Sequence, residues 1–247
     1  MKGWRLLAAG LAVYAVAVIA TAPATMVDAI LRDASAGRMR LAEARGTLWA
    51  GTGQIELLDA GRKTGIARHL GWHFQPAWLL RGRLVCAVEL GTGAQRFAVM
   101  IFPNRIELAA AEISLPATIL GVAVPELAPL GLGGDLRVHV TGLVIRRGRL
   151  QANATVQWRA ASSAHAPVSP LGDYELRFEN SGTAVKADLR TLEGPLQLDG
   201  SGSWANSASP AFKATAHVLP PHRERLEPFL RMIAIERGAG NFELQLK

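Results

Sequence analysis

Few side chains in this sequence are spaced to do chemistry. His69 and His73 stand four apart, the interval that places two imidazoles on one helix face for a metal. Gly71 and Trp72 lie between them in a segment patterned as a strand, and no HExxH frame is present, so metal binding is not expected there. Gly61-Arg62-Lys63-Thr64-Gly65 holds a Lys-Thr pair without the G-x-x-x-x-G-K-S/T frame that cradles phosphates, and it reads as a polar loop. Ser162, Ser163, Ser201 and Ser203 sit outside any G-x-S-x-G elbow and have no paired histidine and acid. Cys86 shares the parity of Leu84 and Val88, the place of a small buried apolar residue and not of a reactive thiol. As the single cysteine, it excludes a disulfide scaffold and a cysteine-based zinc site within one chain. Asn153-Ala154-Thr155 has the form of a glycosylation sequon but falls in mid-strand. No catalytic, cofactor or metal site is expected, and the chain does not read as an enzyme.

The remaining distinctive residues suit binding. Arg146-Arg147-Gly148-Arg149 is the densest basic cluster; it suits a solvated hairpin turn, with contact to anionic lipid or an acidic partner as the alternative. The formal charge of +7 carries no nucleic-acid motif with it, so nucleic acid is not expected as a partner. Trp49, Trp72, Trp158 and Trp204 lie in or beside strand-patterned segments and Trp78 follows Pro76, which suits large rings packed along a dry face or a surface for a partner.

The elements that carry these residues begin with an apolar segment. No charged residue occurs between Arg5 and Asp28, an interval of 22 residues. As a helix this spans about 30 Å, the thickness of a bilayer's hydrocarbon core. Leu6, Leu7, Leu11, Val13, Val16, Val18 and Ile19 are the expected anchor residues, with Trp4 and Arg5 at the interface. Ala20-Thr21-Ala22 has the form of a cleavage site, but Pro23 behind it and the length of the run favour an uncleaved anchor. Lys2 and Arg5 favour a cytoplasmic N-terminus while Arg32, Arg38 and Arg40 oppose it, so charge alone leaves orientation open. The expected organisation is a tail over 1–5, an anchor over 6–24, a linker over 25–44 and a β-rich domain over 45–247.

That domain alternates. Leu150, Ala152, Ala154, Val156 and Trp158 share one parity, and the same period of two recurs at Leu136/Val138/Val140, Tyr174/Leu176/Phe178 and Phe242/Leu244/Leu246. Half-buried antiparallel strands have this pattern. Two short helices are expected, one from Ser114 to about Val122 with Ser114 as N-cap and Pro116 in the first turn. The other carries Leu226, Phe229, Leu230 and Ile233, with Pro228 kinking or opening it. Leu115-Pro116, a helix and Gly134-Asp135-Leu136 echo Leu219-Pro220, a helix and Gly240-Asn241-Phe242, which suggests a duplication with repeats over 45–142 and 143–247. The fold class is therefore mainly β with two short helices: a transmembrane helix followed by a duplicated antiparallel sheet. Its dry face would close as a sandwich, curl as a partial barrel, or hold an apolar ligand in an open groove.

Arg45-Gly46-Thr47-Leu48-Trp49-Ala50-Gly51, shortly after the apolar segment, resembles the type II secretion system protein N family (general secretion pathway protein N, GspN). Trp72 and Pro76 leading to Leu79-Leu80-Arg81-Gly82, then Leu171-Gly172-Asp173-Tyr174, then Gly194 through Gly200 to Gly202, continue the likeness almost to the C-terminus. The Gly131–Gly134 break and the Arg146–Arg149 cluster depart from it. The resemblance implies an accessory inner-membrane protein with a cytoplasmic N-terminus and a periplasmic domain. Its partners would be inner-membrane platform or periplasmic channel components of a machine exporting folded proteins. It supplies no catalytic residue, and Gly46, Thr47, Leu48, Trp49, Gly51, Gly172, Tyr174, Gly194 and Gly200 carry the likeness without an assigned role. A lipid-handling groove anchored in the inner membrane is the alternative.

Overall fold

The structure, a computed structural model, describes residues 2–58, 64–91, 95–146, 149–181, 184–205, 211–237 and 241–246. Most of the Gly61–Gly65 loop, Arg147 and Gly148 lie outside the described residues. The chain divides into two compact units, Met1–Ala94 and Gln95–Lys247.

The first unit opens with α1 (Lys2–Ala20) and α2 (Thr25–Ala34). An antiparallel meander follows: β1 (Met39–Gly46), β2 (Ala50–Leu58), β3 (Thr64–Gln75) and β4 (Leu84–Leu90), each paired with the next. The stretch expected to be a linker thus holds a helix and a strand. Asp28 explains this: it pairs with Arg32 one turn on, and its Oδ1 accepts the Leu41 backbone N–H at 2.7 Å, tying α2 to β1. The anchor segment also differs from its expected bounds, because α1 stops at Ala20 and Pro23 bridges to Thr47. Among the described residues no helix is long and apolar enough to cross a membrane.

The second unit is a larger antiparallel sheet. Its strands are β5 (Gln95–Phe102), β6 (Arg105–Leu108), β7 (Ala111–Pro116), β8 (Leu132–Arg146), β9 (Arg149–Ser163) and β10 (Gly172–Ser181). β11 (Ala184–Glu193), β12 (Leu196–Ala205), β13 (Ala211–Val218), β14 (Ile235–Glu236) and β15 (Asn241–Leu246) complete it. The order is β5-β6-β8-β9-β10-β11-β12-β13-β15-β14, and β7 shares β8 with β6 end to end. Residue 142 lies inside β8. A strand, a short helix and an antiparallel partner strand occur twice, as β7 to β8 around α3 (Ile119–Ala123) and as β13 to β15 around α4 (Arg223–Ile233).

The first of these helices starts later than expected. Ser114 and Pro116 pair with Arg137 and Asp135 in the ladder, and Thr118 occupies the N-cap position. A 3₁₀ turn over Pro125–Leu130 then leads into β8. α4 does carry Leu226, Phe229 and Leu230 as its buried stripe, with Pro228 inside the helix. That stripe packs with Leu196, Ala216, Val218 and Phe242 into the main core; the small Ala216 in β13 lets the helix approach the sheet.

The alternation is interrupted across β8, β9 and β10. Ala160 has φ +48, Gly134 φ +102, and the pairing shifts register at Gly133/Asp135 and Gly172/Tyr174. These bulges lie on neighbouring strands and switch which parity faces the core. Ala152 is buried on the even parity of β9, whereas Ala161 and Ser163 are buried on the odd.

Candidate functional site

The stretch Gly46–Gly51 forms a tight turn between β1 and β2. Thr47 N–H donates to the Ala50 carbonyl at 2.8 Å, and Gly46 has φ +97, a conformation that L side chains rarely adopt. At Gly51 an added Cβ would stand 2.5 Å from both Trp72 Cζ2 and the Arg45 carbonyl oxygen, so the indole can lie against it only because no side chain is there. Trp72 is 6% exposed and its Nε1 donates to the Leu48 carbonyl at 3.1 Å.

This turn grips the end of α1. The last carbonyls of a helix lack intrahelical donors. Here Trp49 Nε1 donates to the Ile19 carbonyl at 2.8 Å, and the Leu48 N–H donates to the Ala22 carbonyl at 2.8 Å. The Ala24 N–H returns to the Gly46 carbonyl at 3.2 Å. Ala22 and Ala24 are buried, and Trp49 stacks edge-on against Phe74 at 6.2 Å between centroids. Gly46, Thr47, Leu48, Trp49 and Gly51 therefore act together on one segment, Ile19–Ala24. Sequence reading missed Phe74 as the ring behind Trp49 and Ala22–Ala24 as the clamped strand. Only the short Ala-Thr-Ala-Pro-Ala run, unsuited to continue a helix, hinted at the latter.

The expected anchor side chains all project from α1 into open space. Leu6, Leu7 and Val13 are each at least 70% exposed, and Leu11, Val16, Val18 and Ile19 at least half.

In the second unit, Gly172, Tyr174 and Gly194 meet where β10 begins. A Cβ on Gly194 would overlap Gly172 Cα, and one on Gly172 would stand 2.7 Å from the Glu193 carbonyl oxygen. The buried Tyr174 hydroxyl donates to the Leu196 carbonyl at 2.9 Å, and burial pushes its pKa well above the ordinary value. Gly200 lies apart from them, against Ala214 and the Lys213 carbonyl of β13. Tyr174 and Trp158 border an apolar groove of about 200 Å³, lined also by Leu189 and Phe212 and by Leu120 and α4's Ile233. Leu120, Leu127 and Leu130 of the groove wall were not singled out in the sequence, since a short helix and a 3₁₀ turn show no readable period.

On the opposite face, Glu175 is 6% exposed. Gln157 donates to it at 3.1 Å and Arg190 at 2.6 Å, with Arg177 at 3.3 Å. The Gln157 hydrogen bond, aided by Arg190 and Arg177 against the effect of burial, holds its carboxyl below the usual range. Asp173 is lowered likewise by the hydrogen bond from Arg159. Their partners mark this network as structural.

The reactive candidates do not assemble. His69 and His73 are both exposed on β3. Among the described residues no group of His, Cys, Asp and Glu could hold a metal ion. Cys86 is buried, and burial pushes its thiol up to about 11, so it stays protonated at ordinary pH. Ser163 is committed to the Leu130 carbonyl, and Ser201 and Ser203 lie in the β12 ladder.

The features with shape, a clamp and a groove, are made of main chain and apolar side chains of a strand-rich protein. Residues 37–245 match the family model for the type II secretion system (T2SS), protein N, and the chain belongs to that family. It is thus a component of secretion machinery, in a family not known for enzymes. The match takes in β1 through β15 and leaves α1 and α2 outside. Comparison with curated proteins and with solved structures returns no match.

Proposed function

We propose that the chain is a single-pass accessory component of a type II secretion apparatus in the inner membrane. Its N-terminus would be cytoplasmic and its β-rich body periplasmic, contributing to export of folded proteins through contacts with platform or channel parts. The observation that carries this reading is α1: an uncovered apolar rod joined by the Gly46–Gly51 clamp to a body of the protein N family. Water is a poor solvent for such a surface, at roughly 25 cal/mol per Å² of apolar area.

The apolar part of α1, Leu6–Ala20, has 15 residues and reaches about 22 Å, some 8 Å short of an average core. Local thinning of the bilayer would cover the difference, as around other short spans. Deleting the gene in its native host, with complementation, tests the role. Loss of exported proteins from the secretome and co-purification with platform components support it, while unchanged export without co-purification removes it. Carbonate extraction of the full chain tests the anchor.

The groove of the second unit favours one other reading, a lipid-handling module. Its lining is almost wholly apolar, as an acyl chain would require. Lipid extraction and mass spectrometry of the purified protein decide this: a co-purifying acyl lipid supports it and a lipid-free groove counts against it.

A further inference from the structure

The connection between β3 and β4 is a 3₁₀ turn, Pro76–Arg81, followed by Gly82 and Arg83. Trp78 is its centre. The Arg81 guanidinium lies 4.7 Å and that of Arg83 4.2 Å from the Trp78 ring centroid, and Trp78 Nε1 donates to Gln75 Oε1 at 2.9 Å. Among the described residues neither arginine has a carboxylate partner, and Arg83 Nε is buried without an acceptor. Two adjacent cations held over an indole repel each other and gain from an anion that approaches both.

Register fixes where this tip lies. Ala50 pairs with His73, and the Phe74 N–H donates to the Trp49 carbonyl at 2.6 Å. Trp49 in turn holds the Ile19 carbonyl at the end of α1. The tip begins two residues past Phe74, about 7 Å of extended chain. It therefore stands at the end of the first unit where α1 leaves the body, and the opposite end carries Arg38, bonded to Leu58. The segments that build the α1 end, residues 17–27, 45–53 and 71–88, contain Arg45, Arg81 and Arg83 and not one Asp or Glu. Arg45 and Arg81 are exposed.

We infer that this end is a membrane-facing rim, and that the Trp78–Arg81–Arg83 tip binds anionic phospholipid headgroups of the leaflet from which α1 emerges. The inference rests on the reading of α1 as a membrane anchor. Tryptophan and arginine are the side chains suited to the headgroup layer, where an apolar ring and a charged head are both solvated. The tip then fixes the attitude of the first unit over the bilayer, with the clamp holding one point and the headgroups a second. Each arginine near an anionic surface gives about a fivefold preference, so the pair gives roughly 25-fold for the docked over the lifted tip.

The test uses the full chain in nanodiscs of pure phosphatidylcholine or of phosphatidylcholine with phosphatidylglycerol, in a Cys86→Ala background. Nitroxides at Ala77→Cys, Arg38→Cys and Val13→Cys report depth by collision with oxygen and with a water-soluble nickel reagent. Expected are a hydrocarbon signal at 13 in both lipids, an aqueous signal at 38 in both, and a headgroup signal at 77 only with phosphatidylglycerol. Arg81→Gln with Arg83→Gln returns position 77 to water, and the double lysine variant keeps it docked. In the phosphatidylglycerol discs, position 77 in water with position 13 in hydrocarbon overturns the tip alone. Position 13 in water overturns the anchor and the tip together. Hydrogen exchange of residues 76–83 in the unlabelled protein repeats the comparison: slower exchange in the anionic discs agrees, and equal exchange in both refutes docking.

Discussion

Replacing Trp49 by phenylalanine isolates the contact that closes the clamp. The ring and its edge-on packing against Phe74 are retained, while the indole N–H that meets the Ile19 carbonyl at 2.8 Å is lost. Such a hydrogen bond contributes about 0.5–1.5 kcal/mol net, or roughly a twofold to thirteenfold rise in local opening. Trp49→Ala also forfeits the aromatic contact, another 0.5–1.5 kcal/mol or so, together with buried ring area. The readout is hydrogen exchange at the Leu48 and Ala24 amides, which bond to Ala22 and Gly46 across the clamp. Both should exchange faster in the order wild type, Phe, Ala, with amides of the second unit unaffected. Unchanged protection at Leu48 and Ala24 in Trp49→Ala would show that the indole does not hold α1 to the sheet.

Further outcomes follow from the second unit and from Cys86. Leu230→Ala, at a fully buried α4 position, should cost about 2–5 kcal/mol, read from the denaturation midpoint of the second unit. Glu175 and Asp173 have carboxyls held below their ordinary values near 4, so their contribution is complete above that pH and lost as pH falls through the lowered values. The unfolding midpoint should thus be insensitive to these groups from about pH 5 upward and fall below about pH 4, with Glu175→Gln less stable at neutral pH and less acid-sensitive. Cys86 should resist thiol reagents at pH 8 in the folded protein and react on unfolding, as followed by a chromogenic disulfide.

The strand faces were legible because alternation is a local property: Tyr174, Leu176 and Phe178, or Leu136, Val138 and Val140, reveal the dry side whatever they pack against. The Leu226–Phe229–Leu230 stripe was legible for the same reason, at a period near 3.6. Two local readings failed where a tertiary bond outweighed propensity. Ser114-Leu115-Pro116 has the form of a helix start, yet its backbone is claimed by β8. Thr25–Ala34 lies in a region expected to be linker, yet Asp28 secures it to β1. Parity itself could not show that Gly134, Ala160 and Gly172 switch faces together, because a bulge exists only between paired strands.

The sequence alone determined the strand-rich class, the apolar N-terminal run and the family likeness, all of which depend on composition, period and order. Tertiary structure decided what the likeness residues do. Gly51 must be glycine because Trp72, more than twenty positions away, and the Arg45 carbonyl across the turn both lie against it, and Trp49 matters at α1 only because the β1–β2 turn is brought beneath Ile19. The groove and the Trp78 tip have the same origin, since cavities and charge neighbourhoods form from segments distant in the chain, and no local pattern records which of them will meet.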